Sequence, residues 1–592
     1  MRSTAITTRA SSTETTRGIS VSDHPLGWMP KTTSRRLRPA CRSVASMSAS
    51  GMREAVAGRT DELRHMATDS RVAAGGLILS RITGFVRVSA TAAVLGPTYF
   101  GNLFQVSAVL PNAFYGMLIG ALILALLVPP LVGRLQTEGV GSARRFANAS
   151  LGLIIAILMA VAVLALALAP FVLGMLAPAD MGRQLVALGL PLLLMLMPQV
   201  VLYIVAGVGA AVQQAHGRFA LSSAASAAEN IGVVAVMASC ATLFGTGTEI
   251  DAVTMPQLVL LGVGTTASVA LHAGLQWWGA HRLGVSLWPS FAWGDPDVRR
   301  MLRQSLSSIG YTSLYWAEFL LLLAVSATIP GGVAAFLIAH SVCQLPIQLT
   351  AKPLSSAQLP RLAECFHKHM PAEFWTIYDG GLRLALFVVL PASMVLAAIP
   401  ETLAHAMAFG EMATPDGVAL IGCCIGGMAL GTAGEMVLIV ATSASYARRD
   451  TRTPAYAMTL RLVVIVLAAA IAQFALLGTK RLWMAGAAMA AANLVAGAYL
   501  HWQLRRTLPA GNATLRRGLA LDLGFSVAAA LSAVGLATWL EGMPGTILEH
   551  MLVAAAALAA SLVTYVLPQL ARGSQELLIL VPALHRVGQG PY

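Results

Sequence analysis

The stretch LSRITGFVRVSA, residues 79–90, places Arg81 and Arg87 in a run that is otherwise apolar enough to lie in a bilayer. A guanidinium at the centre of a membrane helix costs roughly 2.5–3.5 kcal/mol on insertion scales, so two of them require a reason. On a helix, Ser80, Gly84, Arg87 and Thr91 recur at spacings of four, three and four, and Arg81 lies about 100° round from Ser80. They form one small and polar stripe, while Leu79, Ile82, Phe85 and Val86 face elsewhere. Arg81, near the start of the run, could instead snorkel to lipid headgroups. Other polar residues in apolar runs are Gln105, Asn112, Glu229, Asn230, His272, Glu318, His340, Gln344, Glu435 and Arg461. Such groups mark a transport pathway or pair across helices. Glu318 and Arg461 are the foremost candidates for contact with cargo or a coupling ion, whereas His272 reads as a packing histidine.

The elements that must position these residues are membrane helices. Of 592 residues 57% are hydrophobic and 11% charged, against about 25% charged in soluble domains. Apolar runs predict fourteen spans, near 72–95, 104–131, 147–174, 185–210, 219–245, 256–280, 303–329, 331–351, 376–399, 417–446, 454–478, 482–503, 518–540 and 548–571. Runs of this length exclude barrel strands, so the fold class is an all-α polytopic membrane protein. The net charge of +13 lies mostly in loops of one parity, such as GRLQTEGVGSARR, GDPDVRRMLR and YARRDTRTP. That placement points to topology rather than nucleic acid and predicts both termini in the cytoplasm.

Two landmarks suggest an internal repeat. Pro111 and Pro346 lie 235 positions apart, and Arg218 and Arg452 lie 234 apart. The shift lays spans 1–6 over spans 7–12, giving two six-helix lobes in parallel orientation, residues 71–285 and 286–505. Residues 506–592 then hold an appended pair of helices and a tail. Residues 1–70, rich in Ser, Thr and Arg, read as a disordered cytoplasmic tail, with Met52 or Met66 as alternative starts. The six cysteines form no C-x-x-C pair and read as reduced packing residues; Cys365, His367 and His369 form only a short C-x-H-x-H cluster. There is no phosphate-binding Gly-Lys motif and no hydrolase or metalloprotease signature, so no cofactor and no enzyme chemistry are indicated.

Ser80-Arg81-x-x-Gly84-Phe85-x-Arg87, VLPNAF (109–114), LVPPL (127–131), LPRLAE (359–364), FGEMAT (409–414) and YARRDTRTPAY (446–456) together resemble the MurJ/MviN flippases of the multidrug/oligosaccharidyl-lipid/polysaccharide exporter superfamily. LVLLGVGTTASV (258–269) is similar to the actinobacterial branch. The resemblance covers roughly residues 70–575. It implies a transporter of a bacterial plasma membrane that moves lipid II, the undecaprenyl-pyrophosphate-linked peptidoglycan precursor, outward by alternating access, driven by membrane potential or an ion gradient. It implies an arginine-lined cavity in which the planar forks of Arg81 and Arg87 bind pyrophosphate oxygens. Ser80, Gly84, Asn112, Arg461 and Glu318 are the further candidate substrate contacts, with Pro111, Pro346, Asp450 and Arg452 as structural or gating landmarks. Expected partners are lipid II or a related glycolipid, membrane lipids and, through the tail, cell-wall synthesis or division proteins. Where many members of the family carry charged residues, this chain has Asn102, Tyr115, Ser341 and Gln344. The alternatives are a flippase for another undecaprenyl-linked repeat unit, a drug/cation antiporter with an acidic cavity, and a non-transporting scaffold.

Overall fold

The computed structural model describes residues 75–117, 127–176, 182–291, 294–507, 514–540 and 546–580. The expected tail, residues 1–70, and Cys41 lie outside them. Among the described residues the chain is helical, without strands. Helix α1 spans Gly75–Leu95. It is followed by α2 (Tyr99–Tyr115), α3 (Val128–Thr137), α4 (Val140–Leu176), α5 (Gly182–Leu196), α6 (Gln199–Ala215), α7 (Phe219–Phe244) and α8 (Met255–Arg282). The second half continues with α9 (Pro296–Ala327), α10 (Gly332–His367), α11 (Pro371–Ala398), α12 (Pro400–Met407), α13 (Pro415–Ala429), α14 (Gly431–Ala447), α15 (Arg452–Ala475) and α16 (Thr479–Thr507). The chain closes with α17 (Thr514–Leu540), α18 (Ile547–Ala571) and α19 (Gln575–Leu580).

Local chemistry sets many of these starts. Thr98, Thr254 and Thr414 accept hydrogen bonds from the N–H groups of Gly101, Gln257 and Gly417 at 3.0, 3.4 and 3.2 Å, satisfying donors that a helix start leaves unpaired. Proline follows in the first turn of α8 and α13, where its missing N–H is not needed. Thr546 and Glu549 complete a capping box at α18.

Among the described residues twelve helical stretches, with α5 and α6 joined as one, are long and apolar enough to cross a membrane, and the bent pair α13–α14 makes a thirteenth. The expected span 104–131 runs through residues 118–126, which lie outside the described residues. The pair α13–α14 was expected as one straight span over 417–446; it bends by 44°. The glycine-rich GGMALGTAG run permits the break. The Ala429 carbonyl, freed there, accepts from the Ser393 and Thr432 hydroxyls, both at 2.8 Å, as backbone in a bilayer must. The basic stretch LPRLAECFH, expected as a loop, belongs to α10, which continues to His367 through Pro346, Pro353 and Pro360. These prolines stand seven positions apart, so the lost N–H bonds fall on one side and the ladder opposite stays whole. Cys365 is buried in this extension while His367 and His369 are exposed.

Each half builds its own core. In the first, Phe146, Leu151 and Leu158 of α4 pack against Val200, Ile204 and Val208 of α6. In the second, Phe336 and Ala339 of α10 meet Ile421 and Ile425 of α13 and Leu482 of α16. Large apolar side chains such as Leu164, Leu467 and Leu562 point outward, as suits a surface that faces lipid. The last hairpin is anchored by polar groups: buried Asp522 of α17 accepts from Gln569 at 2.8 Å and Arg572 at 3.1 Å, and Tyr565 donates to the Phe387 carbonyl of α11 at 2.9 Å.

Helices of the second half approach closely through small residues, the packing mode that works where lipid tails remove the hydrophobic driving force. A Cβ on Gly434 of α14 would lie 2.6 Å from the Leu494 nitrogen of α16, and one on Gly497 would lie 2.6 Å from the Gly434 carbonyl oxygen. Gly434→Val must push α14 and α16 apart, an overpacking cost of about 1–3 kcal/mol. Thermal unfolding of the purified protein is expected to show a lower melting temperature for Gly434→Val, and little change for the control Gly524→Val, where a Cβ meets nothing within 4 Å.

Candidate functional site

The polar stripe of α1 faces inward. Ser80, Arg81, Gly84, Arg87 and Thr91 line a cavity of about 510 Å³ together with groups from α2, α6, α7 and α8. The opposite face of α1 carries Ile78, Leu79, Ile82 and Val86, all exposed, so the helix separates a lipid side from a polar side as its sequence spacing predicts. Neutral groups hold α1 to α7. The Ser80 and Ser226 hydroxyls lie 2.7 Å apart, and Asn230 donates to the Ser80 carbonyl at 3.2 Å and to Thr83 Oγ1 at 3.1 Å. Gly84 stands opposite Asn230, with room for a Cβ at 3.6 Å.

At the centre is the carboxylate of Glu229, a buried residue. Its Oε1 lies 3.1 Å from Arg87 Nη1 and 2.9 Å from the Tyr203 hydroxyl, while Oε2 lies 2.9 Å from His272 Nδ1. The packing role expected of His272 is therefore replaced by a charge-assisted contact. Arg81 lines the same cavity and is exposed to it, with no ion-pair or hydrogen-bond partner among the described residues. Asn112 and Tyr115 of α2 complete the wall, and Tyr115 packs at 6.0 Å, ring to ring, on Tyr203.

Arg461 and Glu318 are placed elsewhere. They pair with each other across α15 and α9 at 2.8 Å, both buried, and the guanidinium lies 5.4 Å from the Tyr315 ring. Beside them Glu435 accepts from Gln344 at 2.9 and 3.0 Å and from Asn493 at 3.1 Å. None of these residues lines the first-half cavity. The structure thus gathers Ser80, Arg81, Gly84, Arg87 and Asn112 at one site and sets Glu318 and Arg461 at another. Tyr203 leaves no sign of itself in the sequence: a single tyrosine in an apolar run looks like packing until its neighbour across the helices is known.

The halves are joined at both ends of the bundle. At the end away from the basic loops, buried Asn102 donates to the carbonyls of Ala327 and Ile329 at 3.2 and 2.6 Å and accepts from the Val333 N–H at 3.1 Å. The turn it grips contains Gly331, whose φ of 71° suits glycine and whose missing side chain lets the Pro97 backbone approach. Nearby, the Thr246 hydroxyl donates to Glu411 at 2.5 Å. At the basic end, Arg134 bridges Asp295 and Asp297 at 2.9 and 2.7 Å.

Residues 91–557 match the sequence profile of the family described as lipid II flippase MurJ. The chain belongs to the MurJ lipid II flippase family. Two curated relatives, each named a probable lipid II flippase MurJ, come from Rhizobium meliloti, 22% identical over 64% of this chain and 70% of the relative, and from Rhizobium tropici, 23% identical over 65% and 71%. In fold, the chain is similar to a lipid II flippase MurJ solved in an inward closed conformation, with a TM-score of 0.64, 14% identity, and coverage of 86% of this chain and 99% of that one. It is also similar in fold to an inward-facing multidrug resistance MATE family transporter of the MOP superfamily, with a TM-score of 0.58, 14% identity, and coverage of 74% and 96%.

Among the MurJ landmarks read from the sequence, Pro111 and Pro346 lie inside α2 and α10, and Asp450 caps the start of α15. Asp450 Oδ1 accepts from the N–H groups of Arg452 and Thr453, both at 3.1 Å, and Oδ2 accepts from the Thr453 hydroxyl at 2.5 Å. Partial burial raises the Asp450 carboxyl, but these donors outweigh it and hold the group below the ordinary aspartate value of 3.8. A depressed folded-state value contributes stability above that ordinary value and loses it as pH falls through the folded one. Asp450→Ala is expected to destabilise the protein by about 1 kcal/mol at neutral pH. In thermal unfolding, its deficit against the parent should shrink as the pH falls into the acid range below the aspartate value.

Proposed function

We propose that this chain carries lipid II from the cytoplasmic to the outer leaflet of a bacterial plasma membrane by alternating access, without making or breaking a covalent bond. The observation that carries the reading is Arg81, a guanidinium that faces a 510 Å³ cavity within the bundle and has no acidic partner there. A cation kept at such a cost serves an anion that arrives from outside the protein. A pyrophosphate offers paired oxygens to its planar fork, and Arg87 stands about 1.7 helical turns further along the same helix, lining the same cavity.

In this reading the basic loops face the cytoplasm and so do both termini. Residues 71–285 and 286–505 act as two lobes that rock against each other, and residues 506–592 contribute the appended hairpin. The Asn102 and Glu411 contacts hold the outer end, so the headgroup enters from the basic end while its lipid tail stays in the bilayer. A drug/cation antiporter of the same superfamily would need an acidic site open to a cation, whereas Glu229 is already neutralised by Arg87.

The test is depletion of the protein followed by leaflet-resolved labelling of lipid II, with variants supplied in trans. Depletion is expected to abolish outward exposure. Arg81→Ala and Arg87→Ala should each restore about a tenth or less of the parent rate, the scale of one lost charge-assisted contact, with Arg→Lys in between. Unchanged exposure on depletion would exclude lipid II flipping; full rescue by the double Ala variant would exclude the assigned site.

A further inference from the structure

Arg87, unlike Arg81, is already taken. Its partner Glu229 sits in a shell contributed by every helix packed on it: Arg87 from α1, the Tyr203 hydroxyl from α6 and His272 from α8. Its own helix adds the neutral Ser226 and Asn230, and α2 brings only the uncharged Gln105, Asn112 and Tyr115 to the cavity. The Ser80–Ser226 and Asn230 contacts also fasten α1 to α7, so that link does not rest on the Arg87–Glu229 pair alone when the pair is exchanged.

We propose that Glu229 and His272 together form a proton site that loads when the anionic headgroup takes Arg87. The inference rests on the lipid II reading and adds to it a partner for the charge left behind. A phosphate oxygen and the Glu229 carboxylate are acceptors of the same sign competing for one guanidinium. When the phosphate wins, the buried carboxylate keeps only the Tyr203 hydroxyl and the His272 ring, and a buried charge that has lost its ion-pair partner is strongly disfavoured. One proton from the water at the cavity mouth restores the balance: Arg87 passes from carboxylate to phosphate, and the Glu229–His272 pair gains H⁺. The proton belongs to the pair rather than to either residue. Release of the headgroup reverses the exchange and returns the proton. Anion binding consequently strengthens as pH falls.

The experiment uses the full chain in lipid nanodiscs with inorganic pyrophosphate as probe. Calorimetric titration in two buffers of different ionisation enthalpy counts the protons taken up per anion bound. The parent should take up a proton on binding, up to about one at neutral pH, and bind more weakly at pH 8 than at pH 6. Glu229→Gln, nearly isosteric, should bind about tenfold tighter at pH 8, because a charge-assisted competitor has been removed, and take up none. His272→Gln is the second variant, able to decide the matter if Glu229→Gln fails to fold; it should lose most of the uptake. Equal uptake in parent and variants, or pyrophosphate binding without uptake in the parent, would overturn the proton site alone. Absence of pyrophosphate binding by the parent at every pH would overturn the anion-receptor reading and this proposal with it.

Discussion

A charge carried into the hydrocarbon of a bilayer must be matched or reach water, and the interior of this protein is arranged around that constraint. Apart from Arg81, the carboxyl and guanidinium groups in the middle of α1, α7, α9, α14 and α15 fall into two sets. Arg87 meets Glu229 with Tyr203 and His272 closing the shell; Arg461 meets Glu318 with Tyr315 beside it, and Glu435 is held by two amides. The first set lines the 510 Å³ cavity, and the second is not part of that lining. Arg81 stands outside both sets, which is why it is the informative residue.

Departures from the family pattern follow the same logic. Asn102 donates to two carbonyls and accepts from one N–H. An ionised aspartate there can only accept, so it could not bond the Ala327 and Ile329 carbonyls in this arrangement. Gln344 donates to both oxygens of Glu435, where a glutamate would set two carboxylates against each other. Tyr115 lies tilted against Tyr203, 6.0 Å ring to ring, and adds no charge to the cavity wall.

The class of fold was legible because a bilayer imposes length and apolarity on every span. The α1 stripe was legible too, since helical spacing fixes which side chains share a face. What spacing cannot give is which helix lies opposite. Glu229, His272 and Tyr203 stand on three different helices, and only the tertiary packing brings them together on Arg87. The pairing of Arg461 with Glu318 was hidden for the same reason. The break between α13 and α14 was missed because apolar glycine-rich sequence satisfies the span criterion whether straight or bent, and the decisive hydrogen bond comes from Ser393 on another helix.

The far-end latch and the cavity site are mechanically linked through α1 and α2, which are separated by only three residues, Gly96 to Thr98. Phe85 and Val88 of α1 pack on the second-half core, and Asn102 of α2 grips the turn between α9 and α10. Separating α2 from that turn must break the three Asn102 bonds. Neutral hydrogen bonds net about 0.5–1.5 kcal/mol each, so the latch amounts to a few kcal/mol. That is the range in which two conformations of one protein stay interconvertible and a ligand's differential affinity can choose between them. Arg81 and Arg87 stand on the same helix whose other side chains pack on the second-half core, so the cavity wall and that core share one rigid element.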